Sequence, residues 1–162
     1  MSTKEDRIEK LQLIQHPEGG WFRETYCAQS RVEIRGESRA ASTAIYFLLG
    51  AGEVSTFHRI DSDELWHHYE GSALRVHILD DTGYKTLTIG SLGTPDALPQ
   101  GWVPAGAWFG AEVLEPTGYS LVGCTVAPGF DFAHFELAER STLTNRFPSQ
   151  AELIARLTPK IR

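Results

Sequence analysis

Nine short runs of β-forming residues, separated by glycine, proline or aspartate turns, leave this chain little choice of fold class. They cover 21–28, 42–49, 53–58, 64–71, 74–79, 84–89, 102–103, 108–114 and 119–126, and Val, Ile, Tyr, Phe, Trp and Thr recur in them. Eight or nine short strands at this spacing suggest a sandwich or barrel of jelly-roll type. Asp80-Asp81-Thr82-Gly83 is the clearest hairpin turn.

Helices are expected only at the two ends. Ser2 and Glu5 have the spacing of a capping pair, Ile8, Leu11 and Ile14 share a face, and Pro17-Glu18-Gly19-Gly20 forms the turn that follows. Near the C-terminus Ser149 and Glu152 repeat the capping pattern, Ile154 and Leu157 share a face, and Pro159 follows. A chain of 162 residues predicts one domain, 1–162, with a β core at about 20–135. Its longest apolar run, 44–49, falls far short of the ~20 residues of a spanning helix. A net charge of −6 without a cluster of Lys or Arg argues against nucleic acid or a membrane as partner. The charged N-terminal residues carry no apolar signal core, so a cytoplasmic location and free thiols at Cys27 and Cys124 are expected.

The chemistry concentrates between Gly52 and Gly71, where His58 and Glu64 stand six residues apart. Strand alternation puts Glu64, Trp66 and His68 on one face, and His58 on the same face as Thr56 and Val54. The short connection between the two strands predicts an imidazole opposite a carboxylate. In such a dyad Glu64 orients His58 and raises its basicity, and His58 moves a proton near neutral pH.

The frame Gly52-x5-His58-x5-Glu64-x6-Gly71 resembles the first motif of the cupin superfamily, with Ile60 in place of a second histidine. The second motif survives as Pro104-Ala105-Gly106-Ala107-Trp108, with Phe109 at its histidine position. Together with the stretches 17–24, 42–49, 57–59, 63–67 and 121–130, these make the chain similar to the Cupin five family over about 13–137. The resemblance implies an all-β, cupin-type double-stranded jelly-roll β-barrel with the terminal helices packed outside. It also implies a homodimer, a small-molecule pocket inside the barrel, and Glu64 pointing into that pocket.

The candidate catalytic residues are therefore His58 and Glu64. Candidate ligand-binding residues are Arg23, Tyr46, Thr56, Trp66, His68, His77 and Trp108, with 127–135 as the loop over the mouth. His16 reads as a cap or surface residue, His67 as outward-facing, and Cys124 as a small buried residue. No cofactor is expected. The alternative is a divalent transition metal on His58 and Glu64, but Ile60 and Phe109 offer no donor, and Glu64 and His68 lie about 13 Å apart along a strand.

Three functions compete. The first is a metal-independent proton-transfer enzyme, epimerase- or isomerase-like, on a small polar substrate such as a sugar or nucleotide-linked compound. The second is a small-ligand binding or sensing module, with Trp66 stacking and Arg23 or Arg59 pairing an anion. The third is a metal-dependent dioxygenase or isomerase. Outward-facing Trp21, Phe22 and Tyr26 on an early strand support a homodimer formed by sheet extension.

Overall fold

The structure, a computed structural model, describes residues 2–159. Along the chain run α1 (Lys4–Leu11), β1 (Ile14–Gln15), β2 (Trp21–Cys27), β3 (Arg31–Ile34), β4 (Glu37–Ala40) and β5 (Thr43–Gly50). Next come β6 (Val54–Arg59), β7 (Asp63–Gly71), β8 (Leu74–Asp80), β9 (Gly83–Ile89) and β10 (Gln100–Val103). The last elements are β11 (Trp108–Val113), β12 (Tyr119–Ala127), β13 (Glu136–Leu137), α2 (Arg140–Arg146) and α3 (Ala151–Arg156).

The strands form one sheet in the order β1-β2-β5-β12-β7-β10 and a second in the order β13-β6-β11-β8-β9, with β3-β4 a separate hairpin. From β5 to β12 the chain changes sheet at each step except the β8–β9 hairpin. This is the jelly-roll pattern, present as two facing sheets with no ladder joining their edges among the described residues.

Side-chain alternation decides what lies between the sheets. Phe47, Trp66, Val122 and Cys124 from the first sheet meet Val76, Ile78, Phe109 and Ala111 from the second in the central core. Residues of opposite parity point out and are covered by helices. Phe57, Leu79 and Trp108 pack under Leu143, Ile154 and Leu157 of the C-terminal segment. Leu13, Leu48, Tyr119 and Leu121 pack under Ile8 and Leu11. The terminal helices are thus lids on the two outer sheet faces, each held by one apolar stripe.

Several local expectations shift. Helix α1 is capped by Thr3, which exchanges hydrogen bonds with Asp6, rather than by Ser2 with Glu5. It ends at Gln12, in a left-handed conformation, so Ile14 leaves the helix for β1 and is 62% exposed. Ser149 sits in a 3-10 turn and caps nothing; α3 has no side-chain cap. Helix α2 went unanticipated because Arg-Ser-Thr-Leu-Thr-Asn-Arg is weak in helix formers, and the packing of Leu143 decides its state. The β3–β4 hairpin turns on Arg35 and Gly36, both at positive φ. Gly71 also has a physical reason: at φ +86 its Cβ would stand 2.2 Å from the carbonyl oxygen of Tyr119.

Candidate functional site

The site begins with a turn. His16 N–H donates to the Gly20 carbonyl and Gly19 N–H to the His16 carbonyl, both at 3.0 Å, closing 16–20 on itself. Gly19, at φ +105, lies so close to β6 that a Cβ would sit 2.2 Å from the Val54 oxygen. The Thr56 amide (2.7 Å) and hydroxyl (3.0 Å) then both donate to the Glu18 carbonyl. This stitching drives the Glu18 side chain into the molecule, where it is only 7% exposed.

There Glu18 Oε2 lies 2.9 Å from His58 Nε2, and Oε1 accepts from the Ser55 hydroxyl at 3.0 Å. The other His58 nitrogen, Nδ1, lies 2.8 Å from the Thr56 carbonyl, which can only accept. Both ring nitrogens therefore carry protons, and His58 is an imidazolium paired with the Glu18 carboxylate. Burial by itself opposes charge on both groups. Their mutual attraction outweighs it, raising His58 and lowering Glu18 from their ordinary values. The ring is enclosed by Phe109 at 4.1 Å and Phe135 at 5.4 Å between centroids.

His58 and Glu64 face each other from opposite sheets across one cavity of about 290 Å³. The predicted direct pairing is nevertheless replaced, because Glu18 takes the imidazole first. Glu64 is 8% exposed and lines the cavity beside Cys124 of the adjacent strand. Burial, and then the negative charge of Glu18, push its carboxyl up to about 7, with His58 and the thiol pulling the other way. The Cys124 thiol is itself raised well above the ordinary range by burial and by Glu64, so it is no nucleophile at neutral pH.

His16 also lines this cavity, against the expectation of a surface cap. Its Nδ1 accepts from the Glu18 amide at 3.1 Å, so the proton sits on Nε2. Burial lowers its pKa and the ring is neutral. Phe22, Phe130 and Phe132 form an aromatic border around it, and Glu24 and Asp131 stand at the rim. The 127–135 segment does supply cavity wall, through Phe130, Asp131 and Phe132.

The other candidates are placed by strand parity and lie outside the cavity. Arg23 and Tyr46 are on the outer face of the first sheet: Arg23 donates to the Leu11 carbonyl at 3.1 Å, and Tyr46 packs with Tyr69 and the cluster under α1. His77 and Trp108 are on the outer face of the second. His77 lies between Tyr84 (2.7 Å) and Glu112 (3.0 Å) in a separate surface groove, and Trp108 carries Arg59 over its ring at 4.5 Å. Thr56 braces the Glu18 turn. Trp66 is deeper, between Phe47 and Phe109, and its buried Nε1 has no partner. His68 lies at the far end of β7, bonded to the Gly71 carbonyl at 3.1 Å.

Sequence reasoning passed over His16 and Glu18; Glu24, weighed with Arg23 and Tyr46 as a residue that could orient a polar ligand, does line the cavity. Glu18 carried no local signal, because an acidic residue between a proline and glycines is ordinary turn composition.

A divalent ion at the cupin positions does not suit these residues. Ile60 and Phe109 are buried hydrocarbons, and His58 has no lone pair left to give. Among the described residues no group of three or more His, Cys, Asp or Glu side chains is arranged to hold a metal.

Comparison with known proteins agrees with this architecture. A hypothetical protein from Leishmania major is 34% identical, with a TM-score of 0.92 over 98% of this chain and 100% of its own. A protein from Shewanella oneidensis is 36% identical, with a TM-score of 0.90 over 99% and 100%. An uncharacterised protein of Saccharomyces cerevisiae is 30% identical over 148 residues, covering 81% of this chain and 73% of the relative. An oxalate decarboxylase of Bacillus subtilis shares the fold at a TM-score of 0.56 and 17% identity, over 91% of this chain and 38% of that one. Residues 5–138 match the family described as Cupin superfamily (DUF985), and the chain belongs to that family.

Proposed function

We propose that this protein is a metal-independent proton-transfer enzyme, isomerase- or epimerase-like, and that Glu64 rather than His58 carries the proton. The observation behind this reading is a carboxyl buried at the wall of a small cavity and held at about 7, where acid and base forms coexist. His58 is unsuited to the task, because both its N–H groups are committed to Thr56 and Glu18. Burial keeps the proton affinity of Glu64 high, and the nearby Glu18 carboxylate adds to it against the pull of His58.

In the proposed step the Glu64 carboxylate takes a proton from a carbon next to a carbonyl. The C–H bond breaks, an O–H bond forms on Glu64, and the electron pair moves to the carbonyl oxygen. The Nε2–H of neutral His16 is the donor available to that oxygen. Return of the proton from Glu64 to the neighbouring carbon completes isomerisation, and return to the same carbon after the enolate has turned over in the cavity completes epimerisation.

The test is deuterium incorporation from D2O into a panel of small ketones, aldehydes and lactones, followed by proton NMR. Exchange at the α-carbon should fall about 10²- to 10⁴-fold in Glu64→Gln. Exchange of equal rate in wild type and variant would refute the assignment.

A second reading, a binding or sensing module without turnover, is favoured by the apolar wall formed by Ile45, Ile60, Val126 and Phe130. Mass spectrometry of a ligand that copurifies unchanged, with no α-proton exchange, would select it. A homodimer is proposed for either reading: Ile14 and Tyr26, at the β1–β2 edge of the first sheet, are 62% and 56% exposed. Analytical ultracentrifugation giving only monomer at tens of micromolar would dismiss it.

A further inference from the structure

We propose that the cavity ligand is a compact organic cation, a protonated amine on an apolar body, and not a phosphate- or carboxylate-bearing compound. The inference takes from the proposed function only that the cavity is the ligand site.

The charge of the walls carries it. Among the described residues, no lysine or arginine lines the cavity. The arginines nearest in sequence to the lining strands are committed elsewhere. Arg23 bonds the Leu11 carbonyl, Arg39 bonds Asp61 and the Gly129 carbonyl, and Arg59 bonds Glu136 and covers Trp108. The cationic lining residue, His58, is neutralised by Glu18 at 2.9 Å and has no N–H to spare for an anion. His16 is neutral, since its Nδ1 accepts a backbone N–H. What remains without a basic partner is acidic: Glu64 within, and at the rim Glu24 and Asp131, the latter accepting the Ala133 amide at 2.9 Å.

Glu64 supplies an independent indication. Its carboxyl is more than nine-tenths buried and lines the cavity, yet among the described residues no backbone N–H, lysine or arginine donates to it. A buried carboxyl without such donors is a vacancy for a positively charged or N–H-bearing group. The border suits a cation too. Phe22, Phe130 and Phe132 present aromatic rings around the mouth, and cations bind ring faces. A phosphate or carboxylate would meet the same walls with repulsion and with no cationic donor, only the neutral His16 N–H, which bears against the nucleotide-linked substrates considered from the sequence. The cavity of about 290 Å³ limits the ligand to a small body.

Three near-isosteric probes separate the alternatives: 2-phenylethylamine, 2-phenylethanol and phenylacetate, titrated into the full chain by calorimetry at pH 8. The amine should bind at least tenfold tighter than the alcohol, and the alcohol tighter than phenylacetate. The double variant Glu24→Gln, Asp131→Asn should lose several-fold in amine affinity while binding the alcohol as wild type does, which also shows that it is folded. Phenylacetate binding as tightly as the amine overturns the proposal. So does an amine affinity unchanged in the double variant, or no saturable binding by any probe. Amine preference without Glu64-dependent deuterium exchange would sink the proton-transfer reading and leave this one standing. Exchange on a carbonyl compound together with a preference for phenylacetate would do the reverse.

Discussion

At the residue scale the charges of Glu18, His58 and Glu64 in the cavity depend on one another. Glu64 has its folded-state pKa raised, from 4.5 to about 7, so it favours the folded state below 4.5 and that contribution is lost as pH rises through 7. The shift corresponds to about 3 kcal/mol at most. Glu64→Gln should therefore match wild type in urea melts near pH 4 and become more stable than wild type by up to about that amount at pH 8. A constant offset across this range would show that Glu64 titrates normally. The Glu18–His58 pair has its own window. Lowered Glu18 loses its contribution as pH falls below its ordinary range, and raised His58 loses its own as pH rises above 6.5. His58→Ala leaves Glu18 buried without its cation and should cost about 3–5 kcal/mol in urea denaturation. The cost should shrink when Glu18→Gln is added, and full additivity of the two would deny the pairing.

At the scale of elements, the site depends on one turn docked onto one strand. Helix α1 and strand β2 could each form without Glu18 entering the molecule; Gly19 is what allows the backbone to lie against β6. Gly19→Ala adds a Cβ where the Val54 oxygen stands and strains a positive φ, so it should destabilise by about 1–3 kcal/mol. It should also bring the Glu64 titration, followed by carbon-detected NMR, below 7, because Glu18 would withdraw. A Glu64 titration that does not move would show that the turn does not set the field. The nine strands were legible because each carries β-branched and aromatic residues between breakers, a local signal. Helix α2, the 31–34 and 37–40 hairpin and the 14–15 and 136–137 strands were not: α2 has one apolar residue, Leu143, the hairpin strands carry four charged residues in eight, and a residue pair identifies no partner. Parity along β7 placed Glu64 and Trp66 inward correctly, while the side of β2, β8 and β11 facing the cavity required the sheet order.

At the scale of the whole molecule, two sheets enclose a small hollow and three helices cover their outer faces. No helix among the described residues is long and apolar enough to cross a membrane. With hydrocarbon at positions 60 and 109, and His58 bonded through both nitrogens, purified protein should carry iron, zinc, manganese, nickel and copper each well below one equivalent by elemental analysis. A stoichiometric metal lost on His58→Ala would restore the metal-dependent alternative. The S. oneidensis and L. major proteins, similar over nearly their full lengths, are suitable for repeating that measurement.

The linear order of residues by itself determined the strand-rich class, the frame carrying His58 and Glu64, and the loss of metal donors at 60 and 109. These are properties of alternation, turn chemistry and residue type, which act over a few positions. Only the tertiary structure decided which carboxylate takes His58. That choice depends on a turn forty residues upstream folding back onto β6. It also decided that the arginines face away from the cavity, because the direction of a side chain becomes inward or outward only once both sheets are assembled.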